Sequence, residues 1–283
     1  MPSKKAIKLR VSSVTTTKQI VKAMDMVAGT KLRKVRKWLY VARPQAEESK
    51  RMLDQLKCCE QAVDHPFFEE RLGKRAAYAV ISSDRGLCGS YNTNIGNAAL
   101  RHMKELGCEE QIFAIGLRGR EFLARHERNI VHWYQEISET TFYEDARMIA
   151  DTLIERFLSG EVDEVYVAYT HFASVLNHEP RIVRVLPLGG EEAGDDSFEM
   201  SYGPDLKTVL DYAVPVYLHS FLYSALLESA ASEQASRMIS MEAATKNASE
   251  IIDNLSRIYN RKRQADITQE ITEIIGGAEV SGK

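Results

Sequence analysis

Apolar side chains recur every seven residues at Ile7, Val14, Val21, Ala28, Val35 and Ala42. Companions three or four positions on include Val11, Met24, Leu32, Trp38, Leu39 and Ala46. This spacing predicts a coiled-coil seam along an N-terminal helix. Lys18, Asp25 and Lys31 interrupt the stripe, and Gly29 and Pro44 weaken it. Pro44 is expected to kink the helix or remove one of its hydrogen bonds.

A second stripe occupies the C-terminal part: Tyr217, Phe221, Ser224, Leu227, Ala231, Gln234, Met238, Met241, Thr245, Ala248, Ile252, Leu255 and Tyr259. Its spacing alternates between three and four, the mark of one helical face. From Val216 to Ile275 the chain holds neither glycine nor proline. A helix of that span is about 90 Å long, too long to be buried in the protein's own core. Ser224, Ala231 and Ala248 are small enough to let a second helix come close. The simplest closure is antiparallel pairing with the N-terminal helix inside one chain; a homodimeric coiled coil is the alternative.

Between the stripes the periodicity changes. Strands are predicted at Ala76–Ile81, Ile112–Ile115, Ile130–Tyr134, Glu164–Tyr169 and Arg181–Leu186, and helices at Thr93–Leu106, Arg118–His126 and Thr141–Leu158. Alternating strand and helix implies a mostly parallel sheet covered by helices. An acidic loop, Glu191 to Asp196, leads back to the long helix. The fold class is therefore α/β plus coiled coil: long antiparallel N- and C-terminal helices flanking a Rossmann-like α/β domain. The boundaries are 1–60 for the N-terminal helix, 74–190 for the α/β domain and 207–283 for the C-terminal helix.

Charge adds a direction. Residues 1–57 carry 15 Lys/Arg against 4 Asp/Glu, a net of +11, and the remainder carries 22 against 36, a net of −14. A basic arm on an acidic body points to an acidic partner: nucleic acid, a membrane surface or a protein. No run of about 18 apolar residues occurs, so no membrane span is expected. Met1-Pro2-Ser3-Lys4-Lys5-Ala6 leads into polar helix rather than an apolar signal core, and cytosolic residence is the expectation.

Candidate chemistry is sparse. Ser83-Asp84-Arg85-Gly86-Leu87-Cys88-Gly89 follows the first strand, where a dinucleotide-binding fold places GxGxxG. Only Gly86 and Gly89 are present, no acid follows the second strand, and no GxxxxGK[ST] occurs. Cys88, at a strand-to-helix turn, could be an activated thiol. No companion base supports that role, and a cysteine tucked beside two glycines for steric reasons is the plainer account. Cys58, Cys59, Cys88 and Cys108 lack CxxC spacing, and the seven histidines form no HxH or HExxH pair. Neither a disulfide framework nor a metal site is indicated. No catalytic residue, cofactor or metal is expected in this chain.

Two further segments suggest partners. Lys31-Leu32-Arg33-Lys34-Val35-Arg36-Lys37 keeps Leu32 and Val35 on the seam and turns five cations outward. Near the C-terminus, Arg261-Lys262-Arg263-Gln264 precedes an apolar face of Ile267, Ile271, Ile274 and Ile275. An exposed apolar tip calls for a socket in another protein.

These segments resemble the gamma-subunit family of F-type ATP synthases over essentially the whole chain. The most specific are Ser83–Gly89, Ala231-Ser232-Glu233-Gln234-Ala235-Ser236-Arg237-Met238 and Tyr259–Ala278. Thr17-Lys18-Gln19-Ile20, Met26-Val27 and Thr30–Lys34 fit as well. The resemblance implies a rotor shaft inside a ring of three catalytic and three noncatalytic subunits. Its foot would meet an epsilon subunit and the membrane c-ring, with no nucleic acid bound and no direct membrane insertion. By this resemblance Lys31, Arg33 and Lys34 face acidic levers on the catalytic subunits. Arg263, Gln264, Thr268 and Glu270 meet their loops, and the tip from Ile271 onward sits in an apolar bearing. Tyr202 and Asp205 belong to a foot loop toward the ring, where Gly203 replaces an expected acid. A bacterial-type subunit, peripheral on the cytoplasmic face of the inner membrane, is implied. The alternatives are a nucleotide-dependent α/β enzyme with a dimerisation stalk, or a nucleic-acid-binding coiled-coil protein.

Overall fold

The computed structural model describes residues 3–57, 65–71, 73, 75–137, 143–189 and 205–281, with side chains up to residue 275. The chain divides into two compact units, residues 29–237 and residues 1–28 with 238–283. The long terminal helices contribute to both.

The larger unit is built on a five-stranded sheet. Its strands are β1 (Arg75–Ile81), β2 (Glu109–Ile115), β3 (Ile130–Tyr134), β4 (Glu164–Phe172) and β5 (His178–Leu186), in the order β3-β2-β1-β4-β5. Pairs β1–β2, β1–β4 and β2–β3 are parallel, and β5 runs antiparallel to β4. The mostly parallel sheet matches the expectation. The last two strands are longer than expected because they form one hairpin, continuous from Phe172 back to His178. Helices α2 (Tyr91–Leu106), α3 (Leu117–Arg125) and α4 (Tyr143–Leu158) link the parallel strands. Among the described residues these limits lie within three residues of those expected from pattern, as is usual where helix ends fray.

Strand β1 explains why the sheet is covered on both sides. Ala77, Ala79 and Ile81 pack with α4 and the long helices, while Ala76, Tyr78 and Val80 pack under α2 and α3. All six are buried, the continuous apolar run of a parallel strand rather than an alternating one. Tyr78, Phe113 and Phe157 are among the largest fully buried side chains, and burying a side chain of this size is worth about 1.5–3 kcal/mol.

The N-terminal helix α1 spans Lys4–Lys57 and the C-terminal helix α5 spans Leu206–Ser281, 76 residues. Both stay helical through a proline, at Pro44 and Pro215. Pro44 is exposed, so its ring and the carbonyl it leaves unpaired can face water. Within the larger unit α1 buries Leu32, Leu39, Ala42 and Ala46 of the predicted seam, and beyond it Leu53 and Leu56. Trp38 falls off that seam: it is 38% exposed, and the Lys34 ammonium lies 4.9 Å from its ring centroid. In the smaller unit the buried seam positions are Ile7, Ala28, Met241 and Ala248. Val14, Val21, Ile252, Leu255 and Tyr259 are half-buried there.

One expectation fails for one stretch of its helix. Residues 224–237 of α5 are all buried, so this stretch lies within the core on every face. From residue 251 to 275 none is buried. Length alone pointed to an external helix. The fold instead sinks one portion among α1, β4 and the turn after β1.

Candidate partner surfaces and the buried polar clasp

The turn after β1 is filled by its own protein. Ser83 donates its backbone N–H to Asn92 Oδ1 at 3.0 Å, and Asn92 Nδ2 donates to Ser83 Oγ at 2.7 Å. Asp84 Oδ1 accepts from Leu117 N at 3.0 Å, capping α3. Ser82 Oγ accepts from Gly119 N at 2.8 Å. At Gly116 (φ +93°) an added Cβ would lie 2.5 Å from the Ser82 carbonyl oxygen, so only glycine fits beside that turn. A phosphate cradle needs backbone N–H groups aimed outward. Here the amides of Ser83, Leu117 and Gly119 already have acceptors within the chain.

Cys88 is buried beside this network, with Asn92 Nδ2 3.2 Å from its sulfur. Burial pushes its thiol pKa up, the opposite of what an activated thiolate needs. Cys108 is half-buried and also raised by burial. Cys58 and Cys59 lie outside the described residues. Among the described residues no group of three or more potential ligands is placed to hold a metal.

The stretch 224–237 of α5 satisfies its buried polar side chains against distant parts of the chain. Glu228 is the centre of one cluster. Arg43 Nε donates to Glu228 Oε1 at 3.0 Å, and Phe172 N donates to Oε2 at 3.0 Å. His171 Nδ1 lies 2.5 Å from the same Oε2, and Arg43 Nη2 donates to the Phe172 carbonyl at 2.8 Å. Two turns of helix on, Arg237 Nη2 lies 2.7 Å from Glu233 Oε1. The same nitrogen reaches the Gly86 and Arg85 carbonyls at 3.3 and 3.5 Å. Ser236 Oγ lies 2.7 Å from His178 Nε2 at the β5 end of the hairpin. Glu228, Arg43 and His171 escaped the sequence reading. Within Ala231–Met238 the stripe assigns Ala231, Gln234 and Met238 to a helical face but attaches no role to Glu233, Ser236 or Arg237. A polar helix segment looks the same on the page whether water or a partner side chain answers it.

The residues expected to meet partners are divided between the two units. Lys31, Arg33 and Lys34 are exposed on α1 of the larger unit, as are Arg36 and Lys37. Arg33 Nε donates back to the Gly29 carbonyl at 3.4 Å. Arg263, Gln264, Thr268, Glu270 and Ile271 are exposed on α5 of the smaller unit, and Thr268 Oγ1 donates to the Gln264 carbonyl at 2.9 Å. Ile267, Ile271, Ile274 and Ile275 are 44%, 51%, 71% and 57% exposed. Asp205 caps α5, its Oδ1 accepting from Thr208 N at 2.7 Å. Hydrogen bonding from the Thr208 side chain, and then from its backbone N–H, holds this carboxyl below the usual range. Tyr202, Gly203 and the acidic loop 191–196 lie outside the described residues. No helix among the described residues is long and apolar enough to cross a membrane.

A family model described as ATP synthase matches residues 3–280. The ATP synthase gamma chain of Alkaliphilus metalliredigens is 43% identical over 281 residues, covering 96% of each chain. That of Pelotomaculum thermopropionicum is 38% identical over 280 residues, covering 98% of this chain and 99% of the relative. Among solved structures, a chain from the central stalk and c-ring of the Tetrahymena thermophila mitochondrial ATP synthase superposes with a TM-score of 0.63 at 25% identity. The match covers 80% of this chain and 99% of that one. A chain of the Euglena gracilis enzyme reaches 0.67 at 18% identity over 98% of this chain and 94% of the other, a likeness of fold. The chain belongs to the ATP synthase gamma-chain family.

Proposed function

We propose that this chain is the central-stalk rotor subunit of an F-type ATP synthase. It transmits ion-driven rotation of a membrane ring to the catalytic subunits for ATP synthesis, and the reverse during hydrolysis. The observation that carries this reading is the family match over residues 3–280. The exposed isoleucines of the α5 tip agree with it, since an apolar helix end in water calls for a protein socket.

A rotor works by presenting different contacts to each stator subunit in turn and so shifting the equilibrium at each site. In this reading Lys31, Arg33 and Lys34 slide past acidic surfaces of the catalytic subunits. Solvated cations suit such sliding because each exposed pair is worth only about 0–1 kcal/mol. Arg263, Gln264, Thr268 and Glu270 meet loops of the ring, and Ile271 begins the bearing. Asp205, with Tyr202, faces the membrane ring, and an epsilon subunit packs on the foot. The functional division follows segments 1–60, 74–190 and 207–283. ATP chemistry resides on partner subunits, and the protein sits peripherally on the cytoplasmic face of a bacterial membrane.

Purification of the tagged chain from its native host after mild detergent extraction tests this reading. Recovery with a nucleotide-hydrolysing complex, one copy per three catalytic subunits, is expected. A lone monomer or dimer with nucleotide bound would overturn it in favour of the enzyme alternative. Salt-sensitive retention of nucleic acid by the chain would favour the third reading.

A further inference from the structure

Glu233 stands apart from the other buried polar groups of α5. Its side chain is 6% exposed, and one carboxylate oxygen is occupied by Arg237 and Gln234. The other oxygen, Oε2, is buried with no hydrogen-bond partner among the described residues. An ionised carboxylate with a bare, buried oxygen is costly, and a proton on that oxygen removes the cost.

Arg237 couples this carboxyl to the turn after β1. A single guanidinium nitrogen serves both Glu233 Oε1 and the carbonyls of Arg85 and Gly86. Between those carbonyls and Cys88 stands Leu87, a non-glycine residue at φ +63° with a 61% exposed side chain. That conformation is disfavoured for a leucine and persists only where neighbours impose it.

We propose that Glu233 and Arg237 form a proton-dependent latch on the Asp84–Cys88 turn, closed when Glu233 is ionised and loosened when it takes up a proton. Ionised Glu233 fixes Arg237, and Arg237 holds the two carbonyls that keep Leu87 in place. Protonated Glu233 leaves Arg237 without its counter-ion, so the guanidinium moves toward water or Asp84 and the turn relaxes. Burial, outweighing the pull of Arg237, raises the Glu233 pKa to about 7. The other charged or titratable groups facing Glu233 are Asp84 in the turn, Cys88 beyond it, Tyr91 on α2 and Lys31 on α1. Burial raises the pKa of both Cys88 and Tyr91, which leaves them neutral through this range. The latch is independent of the rotor reading, because every group in it belongs to this chain.

Amide hydrogen exchange of the full chain tests it, with rates corrected for the intrinsic effect of pH. Protection of the Ser83 and Tyr91 amides, which donate to Asn92 Oδ1 and to the Cys88 carbonyl at the two ends of the turn, is expected to rise about tenfold from pH 6 to pH 8, the population shift of one titration across its midpoint. Glu233→Gln should hold the low-pH value throughout. Arg237→Lys, which cannot span the carboxylate and both carbonyls, should also give flat, weak protection, and it decides the matter if the glutamine variant does not fold. Flat protection in the wild type, or either variant titrating as the wild type does, would overturn the latch.

Discussion

Two stretches of one helix, 224–237 and 251–275 of α5, share backbone geometry and a comparable mixture of apolar and polar residues. In the first every residue is buried; in the second none is. The difference lies in what surrounds each stretch. Glu228 finds Arg43, His171 and the Phe172 amide, and Arg237 finds Glu233 and two loop carbonyls. Those partners make burial of charge tolerable, because a buried charge without one costs several kcal/mol. In the second stretch the seam positions Ile252, Leu255 and Tyr259 are only half-buried, and the isoleucines of the tip are exposed.

The comparison can be broken most forcefully in the buried stretch. Leu227→Ala removes a fully buried side chain and is expected to cost about 3 kcal/mol in denaturant unfolding of the full chain. A loss below about 1 kcal/mol would mean that 224–237 is not core. Glu228→Gln keeps shape but removes the charge shared by Arg43 and His171, with an expected loss of about 2 kcal/mol. A variant as stable as the parent would show that the clasp contributes shape alone.

Acid unfolding sharpens the picture from outside the helix. Asp163, buried at the start of β4, accepts hydrogen bonds from Arg75 at 2.8, 3.1 and 3.2 Å. Arg75 holds its carboxyl below the usual range. A depressed folded-state pKa contributes stability above the unfolded value, near about 3.9, and that stability is lost as pH falls through the folded value. Asp163→Asn should therefore flatten the fall in melting temperature between about pH 5 and pH 2. An unchanged acid limb would remove Asp163 from the stabilising groups.

At the exposed end the expected effects on folding are smallest. Ile274→Ala should change the unfolding free energy by less than about 0.5 kcal/mol, since its side chain is already 71% exposed. Arg263→Ala should likewise leave the isolated chain intact, yet lower ATP hydrolysis by the assembled complex. Unchanged turnover would take Arg263 off the contact surface, and a strongly destabilised Ile274 variant would contradict the exposure of the tip.

Much of this was legible in the order of residues. The seven-residue seam of α1 reappears as buried Leu32, Leu39, Ala42 and Ala46, because helical periodicity alone decides which side chains share a face. The alternation of strands and helices between residues 75 and 186 likewise follows from local pattern, and it implies a mostly parallel sheet. Family membership was legible too, from Ser83–Gly89 and Ala231–Met238 together. The sequence could not say which portion of the span 216–275, free of glycine and proline, is swallowed by the core. That depends on groups far away in the chain: Arg85 is 152 residues from Arg237, and His171 is 57 from Glu228. Local periodicity determines faces, helices and strands. Only the tertiary structure decides which polar residues find a partner across such distances, and with it where Glu233 is left with one oxygen bare.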